Sequence, residues 1–282
     1  MAAPDKKRSK QAIDGNIWRE LPWWLIAIIV FLVAMAVLII TQEHFNRAFM
    51  FVKGGPGQFS NLFNGEFWKF IGQGITTTIS ITLIAFAFAL VMGLLAGLGR
   101  ISHNIFLRNL AIFYVEFIRG VPTLVLIFTV AFVLIPWAAD ILGSSNSSIQ
   151  MQTRAIIALA VIYGAFLAEI FRAGIESISR GQMEAARSLG MTYGQAMRYI
   201  VLPQAIRNIL PALGNDFIAM LKDSSLVSVL AVRDITQQAR LYAGSTFRFR
   251  ESYLILTFLY LGMTLTLSLL LRLLERRLGK NV

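Results

Sequence analysis

The chain contains no cysteine, only two histidines and only 15% charged residues. The first absence removes disulfides and thiolate metal sites. His44 and His103 stand far apart in loop-like stretches, so they offer neither a metal cluster nor a catalytic dyad, and each reads as a surface residue. No G-x-x-x-x-G-K-[ST] run occurs, which excludes a phosphate-cradling P-loop from this chain. Lys and Arg outnumber Asp and Glu 26 to 15, but they are scattered over many loops. A nucleic-acid surface would gather them on one face with interleaved aromatics, so anionic lipid headgroups are the better counter-charge.

Apolar residues are what the chain has in abundance. With 56% hydrophobic residues and a mean hydropathy of +0.66, a soluble domain of 282 residues would expose large apolar patches. The bilayer therefore has to be the solvent, and the fold expected is an all-α polytopic bundle. A spanning helix needs about 20 predominantly apolar residues, and windows at 22–41, 74–98, 118–137, 153–171, 209–231 and 252–271 qualify. The first follows Lys6, Lys7, Arg8 and Lys10 as a secretory signal would. It exceeds the about 7–15 residues of a signal core and lacks a small-residue cleavage pattern at Thr41-Gln42-Glu43-His44, so a retained anchor is expected. Trp18, Trp23 and Trp24 at its start suit the headgroup layer. Gly54-Gly55-Pro56-Gly57 and the stretch from Asn61 to Gly65 read as loop. Residues 1–70 are thus expected to form a tail, an extra span and an external loop, and 71–282 a five-span core.

With six spans and the N-terminus inside, sixteen Lys and Arg fall in cytosolic segments and eight outside; Arg119 and Lys222 lie within or beside apolar windows. This bias follows the positive-inside rule and places both termini, and residues 172–208, in the cytosol. Residues 42–70, 138–152 and 232–251 are then external.

That cytosolic placement gives meaning to EAARSLGMTYGQAMRYIVLP at 184–203, a polar insert patterned for helix between two apolar runs. Ser179 with Gln182, and Thr192 with Gln195, have the spacing of capping boxes, while Gly190 suits a left-handed C-terminal cap. Pro203 is expected to stop the second helix. The result would be an elbow with Glu184, Arg187 and Arg198 outside and Ala185 and Ala186 permitting close approach by a partner.

Glu184-Ala185-Ala186, Gly190, Ile200, Leu202 and Pro203 resemble the EAA loop of ATP-binding-cassette (ABC) importer permeases. Further segments resemble the polar amino-acid uptake branch: QGITTTISIT at 73–82, YVEFIRGVPTLV at 114–125, AEIFRAGIESI at 168–178 and LPALGNDFIAMLKDSSLVSVL at 210–230. The resemblance covers roughly three quarters of the chain, from about Gly72 to Gly279, and leaves the first 70 residues without a counterpart. It implies a prokaryotic inner-membrane permease subunit with no cofactor of its own. ATP and magnesium would be held by a cytosolic ATPase dimer that Glu184, Ala185, Ala186, Arg187 and Gly190 contact. It further implies a second permease, identical or homologous, and an external solute-binding protein.

Charge inside a span is costly and normally faces a polar cavity or a partner. Lys222 and Asp223 lie two-thirds along the window at 209–231. Helical spacing puts Asp216, Met220 and Asp223 on one face and Asn215, Ala219 and Lys222 on a neighbouring stripe. Asn215, Asp216, Lys222, Asp223, Ser224 and Ser225 are thus candidates for the substrate pathway. The alternative is that Lys222 and Asp223 pair with residues of neighbouring helices and only hold the bundle together. Glu116, Arg119, Glu169 and Arg172 suit packing or gating, and Thr76 to Thr82, Gly93 and Gly97 suit helix contacts. Two other classes remain open. An ion-coupled secondary transporter or channel would use the intramembrane charges but gives no reason for the elbow, and an intramembrane enzyme lacks clustered carboxylates, histidines or a nucleophile elbow.

Overall fold

Four helical stretches are long and apolar enough to cross a bilayer in the computed structural model: Ile71–Arg100, Thr123–Ile141, Met151–Glu176 and Ser252–Glu275. The structure describes residues 23–41, 66–143, 149–247 and 249–279, and among them there is no strand. The chain divides into two units, Met1–Leu62 and Phe63–Val282. The first contributes helix α1 (Trp23–Thr41), with Val30 and Val33 exposed. The expectations for Trp18, His44 and the glycine-rich loop, and for the side chains of Trp23 and Trp24, lie outside the described residues.

In the second unit α2 (Glu66–Arg100) is followed by α3 (Ile105–Gly120), α4 (Thr123–Thr129), a π-helical segment Val130–Leu134 and α5 (Ile135–Ile141). Then come α6 (Met151–Glu176), α7 (Arg180–Ser188), α8 (Tyr193–Ala196), a second π-segment Met197–Val201 and α9 (Leu202–Asp223). A 3₁₀ segment Ser224–Leu230 leads to α10 (Ile235–Thr246) and α11 (Phe249–Gly279).

Small residues determine which helices meet. A Cβ on Gly93 would lie 2.6 Å from the Leu167 Cβ, and one on Gly97 2.9 Å from the Ala168 carbonyl, so α2 and α6 approach at backbone distance. Ala85, Ala89, Ala158, Ala165 and Ala168, all fully buried, complete this seam. In lipid, where apolar burial gives no drive between helices, such close packing is what holds a bundle. Gly164 in turn leaves room for Tyr114, whose hydroxyl donates to the Val161 carbonyl at 2.6 Å and ties α3 to α6.

Prolines account for three departures from the sequence reading. The apolar window 118–137 is interrupted, because Val121 before Pro122 is extended (φ −113°, ψ 138°) and the span restarts at Thr123. Its first five residues belong to the end of α3 or to the break itself. Both π-segments end one residue before a leucine- or isoleucine-proline pair, Ile135-Pro136 and Leu202-Pro203. Proline lacks an N–H and collides with the carbonyl four residues back; a widened turn removes that collision. Pro203 therefore does not stop the elbow's second helix, as the sequence suggested, but follows directly on the π-turn Met197–Val201, and the helix runs on through it as α9.

The same vacancy explains Arg154, one of the eight basic residues that the charge count places outside but 5% exposed in α6. Its Nη1 donates to the Ala131 carbonyl at 2.9 Å. Ala131 lies five residues before Pro136, so in a π-turn its natural donor would be the N–H that proline lacks. The window 209–231 also changes character: α-helix ends at Asp223, and Ser224–Leu230 is 3₁₀, closed by Ala231 at φ 56°.

Candidate functional site

The elbow is built as two caps back to back. Gly190 adopts φ +86° and donates to the Arg187 carbonyl at 3.0 Å, while the Met191 N–H reaches the Ala186 carbonyl at 3.2 Å. These two bonds constitute a complete Schellman motif. Two residues on, the Gln195 N–H donates to Thr192 Oγ1 at 3.3 Å and the Thr192 N–H to Gln195 Oε1 at 2.9 Å, closing the capping box. Ser179 caps α7 differently from expectation: its Oγ accepts from the Gly181 N–H at 3.3 Å, and Gln182 does not reciprocate with its side chain but turns to Gln204 at 3.5 Å. An N-cap of this kind contributes about 1 kcal/mol. Asn208 Nδ2 donates to Ser177 Oγ at 3.0 Å, so α9 holds the entrance to the elbow.

Of the five candidate coupling residues, Glu184, Ala185, Arg187 and Gly190 are exposed, whereas Ala186 is buried within the chain. Leu189, 83% exposed, and Tyr193, 57% exposed, add apolar surface that the sequence motif does not include. Arg198 lies with its guanidinium carbon 5.7 Å from the Tyr199 ring centroid. Beside the elbow's entrance, Arg100 pairs with Glu169 at 2.9 Å and Glu116 at 3.5 Å, and Arg172 pairs with Glu169 and Glu176. This network joins the ends of α2, α3 and α6, and its partly solvated pairs each contribute about 0–1 kcal/mol.

The pathway candidates separate by environment. Asp223 is partly buried and its Oδ2 accepts from the Tyr163 hydroxyl at 3.0 Å, a partner from the middle of α6 that no spacing in the sequence could have indicated. Asp216 and Ser225 are partly buried as well, whereas Asn215 and Lys222 are exposed. Ser224 is fully buried and its hydroxyl donates to the Leu221 carbonyl at 2.7 Å, so that group serves the helix end. Met220, placed on the same face as the two carboxylates, is fully buried.

Beyond Ser224–Leu230 the chain is pinned firmly. Asp234, fully buried, accepts from the N–H groups of Thr236 at 3.1 Å and Gln237 at 3.0 Å and so caps α10. Burial pushes its carboxyl above the usual range, while those hydrogen bonds pull it back. Of the threonines at 76–82, Thr78 bonds a neighbour, accepting from the Ile235 N–H at 3.1 Å, whereas Thr76 and Thr82 donate to carbonyls of their own helix. Among the described residues no group of His, Asp or Glu has the arrangement of a metal site.

Residues 89–280 match the family model described as binding-protein-dependent transport system inner membrane component. The chain belongs to this family. The permease is 39% identical over 211 residues to a probable glutamine ABC transporter permease, GlnM, of Bacillus subtilis, covering 74% of this chain and 93% of that protein. It is 36% identical to the glutamine transport system permease GlnP of Escherichia coli, covering 73% and 91%. Among solved structures it is similar to a chain of an amino acid ABC transporter with histidines, at 42% identity and a TM-score of 0.68 over 75% of this chain and 95% of that one. A chain of the MetNI methionine ABC transporter, 22% identical with a TM-score of 0.62, shares the fold. The permease is thus a multi-pass membrane subunit of an ABC importer of the amino-acid type.

Proposed function

We propose that this permease carries polar amino acids inward past Asp216 and Asp223, driven by a cytosolic ATPase dimer seated on the elbow. The observation that carries this reading is the elbow itself, a fully capped pair of polar helices exposing Glu184, Arg187 and Leu189 at the end of an apolar bundle. An ion-coupled transporter has no use for such a knob. ATP and magnesium belong to the ATPase, consistent with the missing P-loop. The names of the glutamine permeases support polar cargo, and the family's binding-protein dependence supports an external receptor and a second permease copy or homologue. Both termini are cytosolic, which places the elbow and the Arg100–Glu169 network inside and the opposite end of α6 outside.

The test is coupling in the reconstituted importer. Gly190 has open space around it, so Gly190→Val acts through its φ of +86°, a conformation costing a β-branched residue about 1–3 kcal/mol. Glu184→Lys reverses an exposed charge. Both variants are expected to insert normally and to lose substrate-stimulated ATP hydrolysis. Wild-type coupled turnover in either would remove the elbow from the mechanism.

A further inference from the structure

A polar pocket of about 400 Å³ opens at the end of the bundle opposite the elbow. Gln73 and Thr77 of α2, Gln150 and Gln152 at the start of α6, Arg233, and Gln238 of α10 line it. Its distance from the elbow follows from α6, whose 26 residues separate the two by about 39 Å of helix. The apolar grooves elsewhere on the bundle, such as the one of about 570 Å³ beside Phe217 and Met263, are what a lipid-facing surface provides. This one is different in kind.

Gln238 is 1% exposed, yet its Oε1 meets no donor among the described residues. A buried acceptor left unmade costs about 1–3 kcal/mol, and a native bundle does not carry that without cause. Arg233 on the rim is exposed, and among the described residues no carboxylate pairs with it. Its sequence neighbour Asp234 is turned to the cap of α10. The pocket therefore sets a buried, unpartnered acceptor in its wall and an exposed cation on its rim, in a volume within the usual small-ligand range of about 300–1,000 Å³. One molecule that satisfies both at once is a zwitterion.

We propose that this pocket is a staging site for free α-amino acids, holding the carboxylate on Arg233 and the ammonium on Gln238 Oε1. The site reads the main-chain groups, and the side chain occupies the remaining volume among Gln73, Gln150 and Gln152. Ser224–Leu230, seven residues of 3₁₀ helix, spans about 14 Å from the pocket's rim to Asp223. An amino acid released at the outer face is thus held at the head of the segment leading to the proposed pathway. The inference rests on the cargo being an amino acid.

Because the chain has no cysteine, Thr77→Cys supplies a single reporter in the pocket wall. The full chain in lipid nanodiscs, open to reagent on both faces, is treated with a small charged thiol reagent in the presence of each of the common L-amino acids. L-alanine, L-alaninamide and N-acetyl-L-alanine are compared directly. L-amino acids are expected to slow labelling about tenfold, the two blocked analogues not to, and Arg233→Gln to abolish protection. Asp223→Asn is expected to leave protection intact. Absence of protection by every amino acid, equal protection by L-alaninamide, or protection that survives Arg233→Gln would each overturn the proposal. Since uptake is measured separately, loss of uptake in Asp223→Asn without any protection at Thr77→Cys would retain the pathway and reject the pocket. Protection with normal uptake in Asp223→Asn would do the reverse.

Discussion

At Asp223 two roles open to a membrane carboxylate separate by substitution. If its charge receives the amino group of the cargo, Asp223→Asn and Asp223→Ala both lose uptake, by tenfold or more, whereas Tyr163→Phe retains it. If the residue only joins α9 to α6, Asp223→Asn preserves an acceptor for the Tyr163 hydroxyl and transports normally. In that case Asp223→Ala and Tyr163→Phe lose stability by about 1–3 kcal/mol, measured as thermal inactivation. We expect the first pattern, with uptake into vesicles and basal ATP hydrolysis as the paired readouts. The carboxylate was legible in the sequence because an acid in an apolar run stands out. Tyr163 was not, since a tyrosine within an apolar helix fits lipid, packing or a hydrogen bond equally well until the topology supplies its neighbour. Arg154 was hidden for a related reason: an arginine at the head of a span resembles a loop charge, and only the Pro136 turn, eighteen residues earlier, shows what it is for.

Elements were most legible where local chemistry decides them. The Gly190 cap and the Thr192–Gln195 box appear as expected because each is fixed by residues within a turn of one another. The π-segment before Pro136 was hidden inside an apolar window, and the one before Pro203 because a proline reads locally as an end, whereas whether the helix resumes depends on packing on both sides. Helix contacts fall between these cases. Gly93 and Gly97 suggested close approach, and the structure supplies the partner, α6. Gly93→Ala places a methyl 2.6 Å from the Leu167 Cβ and 3.1 Å from the Gly164 carbonyl, neither at the end of a flexible chain. It is expected to cost about 1–3 kcal/mol as overpacking. Gly120→Ala, whose Cβ meets nothing within 4 Å, is expected to change stability by about 0.5 kcal/mol or less. Thermal denaturation of the two purified variants, compared with wild type, checks the pair; equal stability would mean that α2 and α6 are not packed at backbone distance.

For the molecule as a whole, orientation is the quantity that ties the sites to the two sides of the membrane. Leu189 and Leu142, 83% and 77% exposed, lie beyond opposite ends of the bundle and tolerate replacement without loss of packing. In right-side-out vesicles, Leu142→Cys is expected to react with an impermeant reagent and Leu189→Cys only after permeabilisation. The opposite pattern would invert the topology. Given that arrangement, the uninterrupted helical backbone from Tyr193 to Leu230 acquires a mechanical meaning. Because Pro203 does not end the helix, α9 is a lever whose short arm is the elbow and whose long arm, 22 residues, measures about 33 Å. Turning that arm by about 10° about its first turn moves its far end by about 6 Å. On the seat proposed for the ATPase, a displacement of an ångström or two at the short arm would be geared up, at Asp223, to the width of an amino acid.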